Sequence, residues 1–303
     1  MASNFSATDS TPDVTSSERV MWALNNKRVP THLYLDLGAN WANTLALHES
    51  VPCPGSTLWN VVAFEASPLV QPFLSQYVSF LNGDNAEEPE NCLPRSGSTS
   101  HLLKYARKYG CSAYNPESGR ECMWKCLRHH LSKLAPDPSL NSSSLVDAAL
   151  RNGLVPPTLR HKYTLVPAAV SDYDGWTTIF ENPQQLIRGG ALPKAATAMT
   201  PKRIVTVDVA RWLLQVPEDA YVFAKIDIEG AEHGLIKRLE ALGSFRRLSR
   251  VSIECHGSAP CKDTIRRLRS WNVTLVTERE DGGMDRRSRA HVTYPIAPQC
   301  RCV

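Results

Sequence analysis

The chain has 303 residues, of which 42% are hydrophobic, and a formal net charge of +4. This length allows one large α/β domain or two ordinary ones, and the hydrophobic content suffices for a substantial core. So small a net charge argues against a nucleic acid partner, and no apolar run approaches the roughly 18 residues of a transmembrane helix.

The first 17 residues are rich in serine and threonine, and they lack the basic start and apolar core of a secretory signal. We predict a disordered tail over residues 1–17, ended by the capping box Thr15-Ser16-Ser17-Glu18 and followed by a short helix through Leu24. Residues 18–303 are expected to form a single domain.

The cysteines and sequons point to two different compartments. Nine cysteines, an odd number, without a signal peptide favour reduced thiols and a cytoplasmic protein. The lumen of the secretory pathway is the alternative, because Cys255 lies near Cys261 and the tail carries Cys300-Arg301-Cys302. Asn-x-Ser/Thr sequons, which also arise by chance, occur at Asn4, Asn141 and Asn272.

Alternating strands and helices begin at Leu33. The apolar segment Leu33–Leu37 predicts a first strand that runs into a turn at Gly38, and Asn60–Phe64 predicts a second strand that ends at Glu65. A helix is expected from Ser67 as its cap, with Pro68 in the first helical position, towards Leu81.

A long stretch from about residue 82 to 160 departs from this alternation. Its Pro, Ser, Gly and Asn content predicts a partly helical insertion with a flexible break near Pro136–Ser144. The insertion holds four potential zinc ligands that share one face of a helix, although buried helix packing explains their spacing more simply. They are Cys122, Cys126, His129 and His130.

The alternation then resumes and continues to the end of the chain. A polar loop from Asn182 to Lys202 has the composition of a lid, and Asp208 is expected to cap a helix. The pattern predicts a mostly parallel, doubly wound sheet. Further strands are expected at Tyr163–Val170, Thr177–Phe180, Ile204–Val207, Tyr221–Ile228, Val251–His256, Val273–Thr277 and His291–Tyr294, with helices after Gly230 and over Lys262–Trp271.

Three carboxylates surround the point where the strand Tyr221–Ile228 gives way to a helix. Asp227 and Glu229 are two residues apart, so on an extended chain they point to the same side. A purely structural interpretation also exists, since Asp caps helices and Glu in the first turn, such as Glu232, is stabilised by the helix dipole. That interpretation explains Asp227 least well, because we expect Asp227 to lie within the strand.

A second acidic pattern surrounds the glycine turn after the first strand. Asp36-x-Gly38-x-Asn40 allows a tight turn, and Glu65, about 25 residues further on, is placed to accept hydrogen bonds from ribose hydroxyls. A nicotinamide dinucleotide needs several glycines around its pyrophosphate, and only one is present. The negative charge of Asp36 favours a cationic cofactor without phosphate, S-adenosylmethionine.

Six short segments of the chain resemble the motifs of the FkbM-type methyltransferase family, in the same order along the sequence. The resemblance implies a Rossmann-like class I methyltransferase fold with a seven-stranded sheet, and O-methylation of a sugar, lipid or other small molecule. The chain departs from the family pattern in two places. Ala42 stands where the family usually has Gly, a difference that we expect to cost little, and the insertion over about residues 82–160 is the second departure. The matching segments are Tyr34–Asn40, Val62–Pro68, Ala168–Asp172, Thr206–Asp208, Lys225–Glu232 and Ile253–His256.

The resemblance also implies roles for individual residues. Asp36, Gly38 and Asn40 would hold the amino-acid end of S-adenosylmethionine, and Glu65 its ribose. Asp172 is a further expected cofactor contact.

We expect the acceptor hydroxyl to need a base, because an alcohol is a poor nucleophile. Asp227, beside the methyl donor, or His256 would be that base, and Glu229 would orient the substrate or a divalent ion. No metal ligands are assigned, and the partner is a small-molecule or glycan acceptor. The alternatives are a non-catalytic binding or scaffold protein and, less favoured, a nicotinamide-dependent oxidoreductase.

Overall fold

The computed structural model describes residues 32–40, 42, 44–51, 57–85, 87, 89, 129, 140–181, 200–256, 258–271 and 273–281. Nine strands are described: β1 (His32–Leu37), β2 (Asn60–Phe64), β3 (Lys162–Val166), β4 (Ala169–Ser171), β5 (Gly175–Glu181), β6 (Thr200–Asp208), β7 (Tyr221–Ile226), β8 (Arg250–His256) and β9 (Thr274–Asp281). The helices are α1 (Gln71–Asn82), α2 (Ser143–Gly153), α3 (Val209–Trp212), α4 (Glu232–Leu242) and α5 (Ser258–Ser270).

The central sheet has six strands in the order β3-β2-β1-β7-β8-β9, and every neighbouring pair is parallel. Strand β1 pairs with β2 on one side, where Leu35 faces Val62, and with β7 on the other, where Leu35 faces Ala224. The winding direction therefore reverses at β1. In open α/β sheets the crevice beyond the carboxyl ends of such strands is where ligands bind.

Helices cover both faces of the central sheet, which explains why β1 is almost wholly apolar. Its side chains alternate between two core layers. Leu33, Leu35 and Leu37 pack in the layer that contains α2, α3, α4 and α5, whereas Tyr34 packs with Phe73 and other residues of α1. The fold is thus α/β with helices on both faces of a parallel sheet, which is compatible with a Rossmann-like arrangement.

A second, three-stranded sheet has the order β4-β6-β5, with β4 parallel and β5 antiparallel to β6. The single strand expected over Tyr163–Val170 is wrong, because the chain leaves the central sheet after Val166. Pro167 has no N–H to donate to a ladder, so the central strand ends before it. Ala169–Ser171 then joins the second sheet.

Three further expectations need correction. Helix α1 begins at Gln71 rather than near Ser67, and the Ser67 hydroxyl donates a hydrogen bond to Glu181 instead of capping a helix. Strand β7 ends at Ile226, so Asp227 lies beyond it. The flexible break expected near Pro136–Ser144 does not extend to its last residues, because Ser142 caps α2 by accepting a hydrogen bond from the Leu145 amide.

Other expectations are confirmed, including the strands at β1, β2, β6 and β8 and the helix capped by Asp208, whose carboxylate accepts from the Arg211 amide. Several lie outside the described residues: the tail and helix before residue 32, three of the four potential zinc ligands, the loop up to residue 199 and the strand His291–Tyr294. The loop expected over Asn182–Lys202 is wrong for its last three residues, because β6 begins at Thr200. The expected seventh strand of the sheet stays a prediction.

Candidate functional site

A cavity of about 350 Å³ lies at the carboxyl ends of β1, β2 and β7, between the central sheet and the second sheet. Its size is in the range of small-molecule sites. Five of the eight residues expected to form the site line it, namely Gly38, Asn40, Glu65, Asp227 and Glu229. Asp36, Asp172 and His256 do not.

Glu65 follows β2 and is fixed by two backbone amides. The N–H groups of Asn40 and Ser67 each donate a 2.7 Å hydrogen bond to its carboxylate, one to Oε2 and one to Oε1. Burial raises the pKa of Glu65 to about 7, although these amides and Lys225 act in the opposite direction. Each oxygen keeps a free lone pair, so the group can still accept hydrogen bonds from a diol.

Gly38 brings the ends of β1 and β7 together. Its φ is +87°, and a Cβ on this residue would lie only 1.9 Å from the Asp227 carbonyl oxygen. The Asp227 amide donates to Leu37 on the neighbouring strand. Asn40 has φ +47°, a left-handed backbone that asparagine adopts more readily than most residues. Ala42 has φ +64°, which costs about 1–2 kcal/mol for a residue with a Cβ, more than we expected.

Asp36 lies beneath the glycine turn rather than in the cavity. It is fully buried, accepts a 2.7 Å hydrogen bond from the Thr44 hydroxyl, and lies 3.4 Å from Nζ of Lys225. Burial raises the pKa of Asp36, whereas Lys225 and Thr44 oppose that change. The arrangement is a buried ion pair that stabilises the turn, and it leaves Asp36 no direct contact with a ligand in the cavity.

Lys225 joins the two acidic segments that the sequence singled out. Its ammonium lies 3.2 Å from Asp227 and donates a 2.7 Å hydrogen bond to the Gly38 carbonyl oxygen. Burial lowers the pKa of Lys225, but attraction to Asp36 and Asp227 outweighs it, and the pKa is raised. Lysine at this position therefore holds the two strand ends in register.

Glu232 organises the acidic turn between β7 and α4. It is the first residue of α4 and is fully buried. Its carboxylate accepts hydrogen bonds from the amides of Ile228 at 3.0 Å and Gly230 at 2.9 Å. It also contacts Nδ1 of His256 at 2.9 Å. Sequence analysis assigned Glu232 only a helix-start role and missed its contact with His256, which comes from another strand.

His256 ends β8 and faces the acidic turn. Its Nε2 lies 3.5 Å from Glu229 and 3.9 Å from Asp227. The bond to Glu232 and the charges of Glu229, Glu232 and Asp227 outweigh burial and raise the pKa of His256 to about 9. In the protein without ligand, the imidazole is therefore cationic at neutral pH.

The side chains of Asp227, Glu229 and His256 also form a potential cation site, since their ligand atoms all lie within 4.8 Å of one another. Glu229 has φ +54°, so it leaves the extended conformation that we expected to align it with Asp227. The three groups meet because the turn folds back towards β8. Two carboxylates and an imidazole suit a divalent ion of intermediate hardness, so these residues would be the ones to hold one.

Asp172 lies away from the cavity. Its carboxylate is 3.7 Å from where a Cβ on Gly234 would be, and it accepts from the Ser171 hydroxyl at 3.3 Å. Its neighbours Ser171 and Tyr173 do line the cavity. The alternation of side chains at the end of β4 thus directs Asp172 towards α4.

Cys255, the residue that precedes His256, forms a disulfide with Cys261. Both cysteines are fully buried, and the bridge ties the end of β8 to the start of α5. The expectation of reduced thiols is therefore wrong for this pair. His233 adds a second tie, because its Nε2 lies 2.8 Å from the His256 carbonyl oxygen.

No protein-family model, curated protein sequence or solved structure matches this chain. Among the described residues, no helix combines the length and the apolar character that crossing a membrane requires. The function is therefore argued from the cavity and its charges.

Proposed function

We propose that the chain is an S-adenosylmethionine-dependent O-methyltransferase. The observation that carries the proposal is the charge of the cavity wall. Among the described residues that line the cavity, the charged side chains are Glu65, Glu181, Asp227 and Glu229, and Lys, Arg and His are absent. Lys225 and His256 lie outside the lining and offset part of this charge. The carboxylates that face the cavity still disfavour a phosphate and favour a nucleoside that carries a sulfonium and an ammonium.

In this proposal the cofactor spans the ends of two strands, β1 and β2. Glu65, held by two amides at the end of β2, accepts hydrogen bonds from the ribose hydroxyls. Gly38 admits the cofactor close to the backbone, and Asp227 with Glu229 faces its cationic end. This differs from the role that the family resemblance implied for Asp36, which supports the turn through Lys225. The proposal keeps Glu65 at the ribose and Gly38 beside the cofactor, as the resemblance implied. Asn40, which the resemblance placed at the amino-acid end, acts in this proposal through its amide, which donates to Glu65.

Methyl transfer needs alignment and the removal of one proton. S-adenosylmethionine would supply an activated methyl group, and its sulfur would keep the electron pair of the broken S–C bond as the acceptor oxygen takes the methyl. The chain's own part would be to hold the acceptor in line and to accept its hydroxyl proton. His256 suits this role better than Asp227, because Asp227 is paired with Lys225. Glu232 holds Nδ1 of His256, so Nε2 is the atom that faces the cavity side.

The raised pKa of His256 fits this role once the cofactor is considered. In the free protein the imidazole is protonated, since its pKa is about 9. A sulfonium near Asp227 and Glu229 would offset their negative charge, which stabilises the imidazolium, and would therefore lower the pKa of His256. Cofactor binding would thus favour the neutral imidazole, although the contact with Glu232 remains, and Glu229 would orient the acceptor hydroxyl.

The disulfide bears on where the chain works. Disulfides persist in oxidising compartments and are rare in the cytosol. We therefore favour the lumen of the secretory pathway over the cytoplasm expected from the cysteine count. Mass spectrometry after alkylation without reductant tests this, since Cys255 and Cys261 should remain unmodified in protein isolated from its own cells.

The test of the activity is transfer of a labelled methyl group from S-adenosylmethionine to sugars, lipids and small alcohols, with and without a chelator. We expect transfer to one of these acceptor classes, and a sharp loss of turnover in Asp227→Asn and His256→Gln variants that unfold like the wild type. Binding of S-adenosylhomocysteine without transfer to any class would favour the scaffold alternative. Hydride exchange with a nicotinamide cofactor would contradict the proposal.

A further inference from the structure

Glu181 is a buried carboxylate in the cavity to which the proposed reaction assigns no contact with the ligand. It is the last residue of β5 and is 4% exposed. Its Oε1 accepts a hydrogen bond from the Ser67 hydroxyl, and the Leu69 amide and the charge of Lys202 also act on the carboxylate. Its Oε2 is buried and has no partner in hydrogen-bonding geometry. A buried acceptor left unpaired is destabilising, so its retention in a cavity wall suggests a donor on the ligand.

Ser67 links Glu181 directly to the carboxylate assigned to the ribose. The Ser67 amide donates to Glu65, and the Ser67 hydroxyl donates to Glu181. The two carboxylates are close enough that the charge of Glu181 contributes to the raised pKa of Glu65. A group attached to a ribose held by Glu65 therefore lies within reach of Glu181.

The cavity around Glu181 has apolar walls. Thr177, Ile179 and Glu181 alternate along β5, so they share the face that lines the cavity. Val70, at the start of α1, and Ala168, between β3 and β4, line the same space and are buried. Apolar walls with one polar atom suit a flat ring that presents a polar edge.

We propose that Glu181 binds the amino edge of a 6-aminopurine base, with its Oε2 accepting a hydrogen bond from the exocyclic N–H. This inference rests on the proposed function, because it assumes that the ribose lies on Glu65. It adds a specificity residue that neither the sequence patterns nor the resemblance assigned. A 6-oxopurine presents a carbonyl oxygen in the same place. Because that oxygen and the ionised carboxylate are both acceptors, no hydrogen bond could form between them.

The orientation of the cofactor supports this assignment. The cationic end occupies the side of Gly38, Asp227 and Glu229, at the ends of β1 and β7. The base must then extend from the ribose in the other direction, towards β3 and the second sheet. Glu181 and Thr206 are the buried side chains in that direction whose oxygens have no partner among the described residues. Thr206 pairs with Gly175 at the opposite end of β5, which leaves Glu181 beside the ribose.

The test compares the affinity of S-adenosylhomocysteine with that of its deaminated analogue, S-inosylhomocysteine, by calorimetry. In the wild-type protein at pH 8 we expect the amino compound to bind at least about tenfold more tightly. Glu181→Gln should bring the two affinities together, because an amide both donates and accepts. Burial raises the pKa of Glu181 and outweighs the opposing effects of Ser67, Leu69 and Lys202. The wild-type preference should therefore also shrink at acid pH, where the protonated carboxyl can donate.

Two variants serve as controls. Asp172→Asn removes an exposed carboxylate outside the cavity and should leave both affinities unchanged. Glu65→Gln should weaken both compounds by the same factor, since they share a ribose. Tight binding of both compounds to the wild type with equal affinity would overturn the role of Glu181 and leave the proposed function standing. Failure of both compounds to bind would overturn the role of Glu181 and the proposed function together.

Discussion

The buried carboxylate of Glu232 holds Nδ1 of His256 at 2.9 Å. Two neighbouring elements of the chain, α4 at its start and β8 at its end, therefore fix one imidazole against the acidic turn. A base whose orientation is set by a third group is a recurring arrangement in catalysis. The contact also explains why the pKa of His256 is raised to about 9.

The first prediction concerns Glu232→Gln. This change removes the largest cause of the raised pKa, so the pKa of His256 should fall towards its ordinary value near 6.5. Turnover should nevertheless fall, because the imidazole loses the carboxylate that fixes its orientation. Histidine titration by NMR measures the pKa directly. The conservative Glu240→Gln, at the other end of α4, should leave it unchanged. A pKa that stays near 9 in the Glu232 variant would contradict this account of the site.

The same pair makes stability depend on pH in a defined window. The folded pKa of His256, about 9, exceeds the unfolded value of 6.5. Its contribution to the free energy of unfolding is therefore complete below pH 6.5 and is lost as the pH rises through 9. Denaturant titrations across that interval should show the decline in the wild type and a flatter profile in Glu232→Gln. Equal slopes in the two proteins would exclude His256 as the cause.

The second prediction concerns Glu65 and cofactor affinity. Its pKa is raised to about 7, and the ribose hydroxyls need the ionised carboxylate as acceptor. The affinity for S-adenosylhomocysteine should fall as the pH drops below 7, approaching about tenfold per pH unit. Glu65→Gln should bind more weakly at pH 8 and lose this dependence. A wild-type affinity that is constant from pH 8 to 5 would show that Glu65 does not hold the ligand.

The third prediction compares two glycines with similar backbones. Gly38 and Gly243 have φ of +87° and +68°, but a Cβ on Gly243 would meet nothing within 4 Å. Gly243→Ala should therefore cost only the strain of a left-handed alanine, about 1–2 kcal/mol of unfolding free energy. Gly38→Ala should cost about 4 kcal/mol or more and abolish ligand binding, since the new Cβ would overlap the Asp227 carbonyl. Equal costs would mean that the strand ends do not meet as described.

The fourth prediction concerns the ion pair beneath the glycine turn. Lys225→Met leaves Asp36 buried without its cation and should cost about 3–5 kcal/mol of unfolding free energy. Adding Asp36→Asn should recover part of that loss, because the uncompensated charge is gone. Additive costs in the double variant would show that the two residues are not coupled.

The sequence predicted much of the fold because its strands are short apolar runs between clear turn signals. Leu33–Leu37 and Asn60–Phe64 match β1 and β2 closely, and Asp208 caps a helix as expected. The split of Tyr163–Val170 was missed, although Pro167 carried the signal. An apolar run cannot by itself tell which of two sheets its halves join.

The site was harder to predict from sequence. Acidic residues at strand ends were found, yet Asp36 is buried under the turn and Glu232 directs the imidazole. Both outcomes depend on a partner from another strand, Lys225 for Asp36 and His256 for Glu232. Glu181 was missed for the same reason, since its contact with Ser67 spans 114 residues. No local pattern in the sequence contains these pairings.

The most direct test of the central claim, an acidic cavity that takes a cationic nucleoside without phosphate, is calorimetric titration of the whole chain. S-adenosylmethionine and NAD would be titrated side by side at neutral pH and low salt. We predict a single S-adenosylmethionine site that Glu65→Gln weakens, and no heat of binding from NAD. Binding of NAD in competition with S-adenosylmethionine, or an S-adenosylmethionine affinity that Glu65→Gln leaves unchanged, would contradict the account.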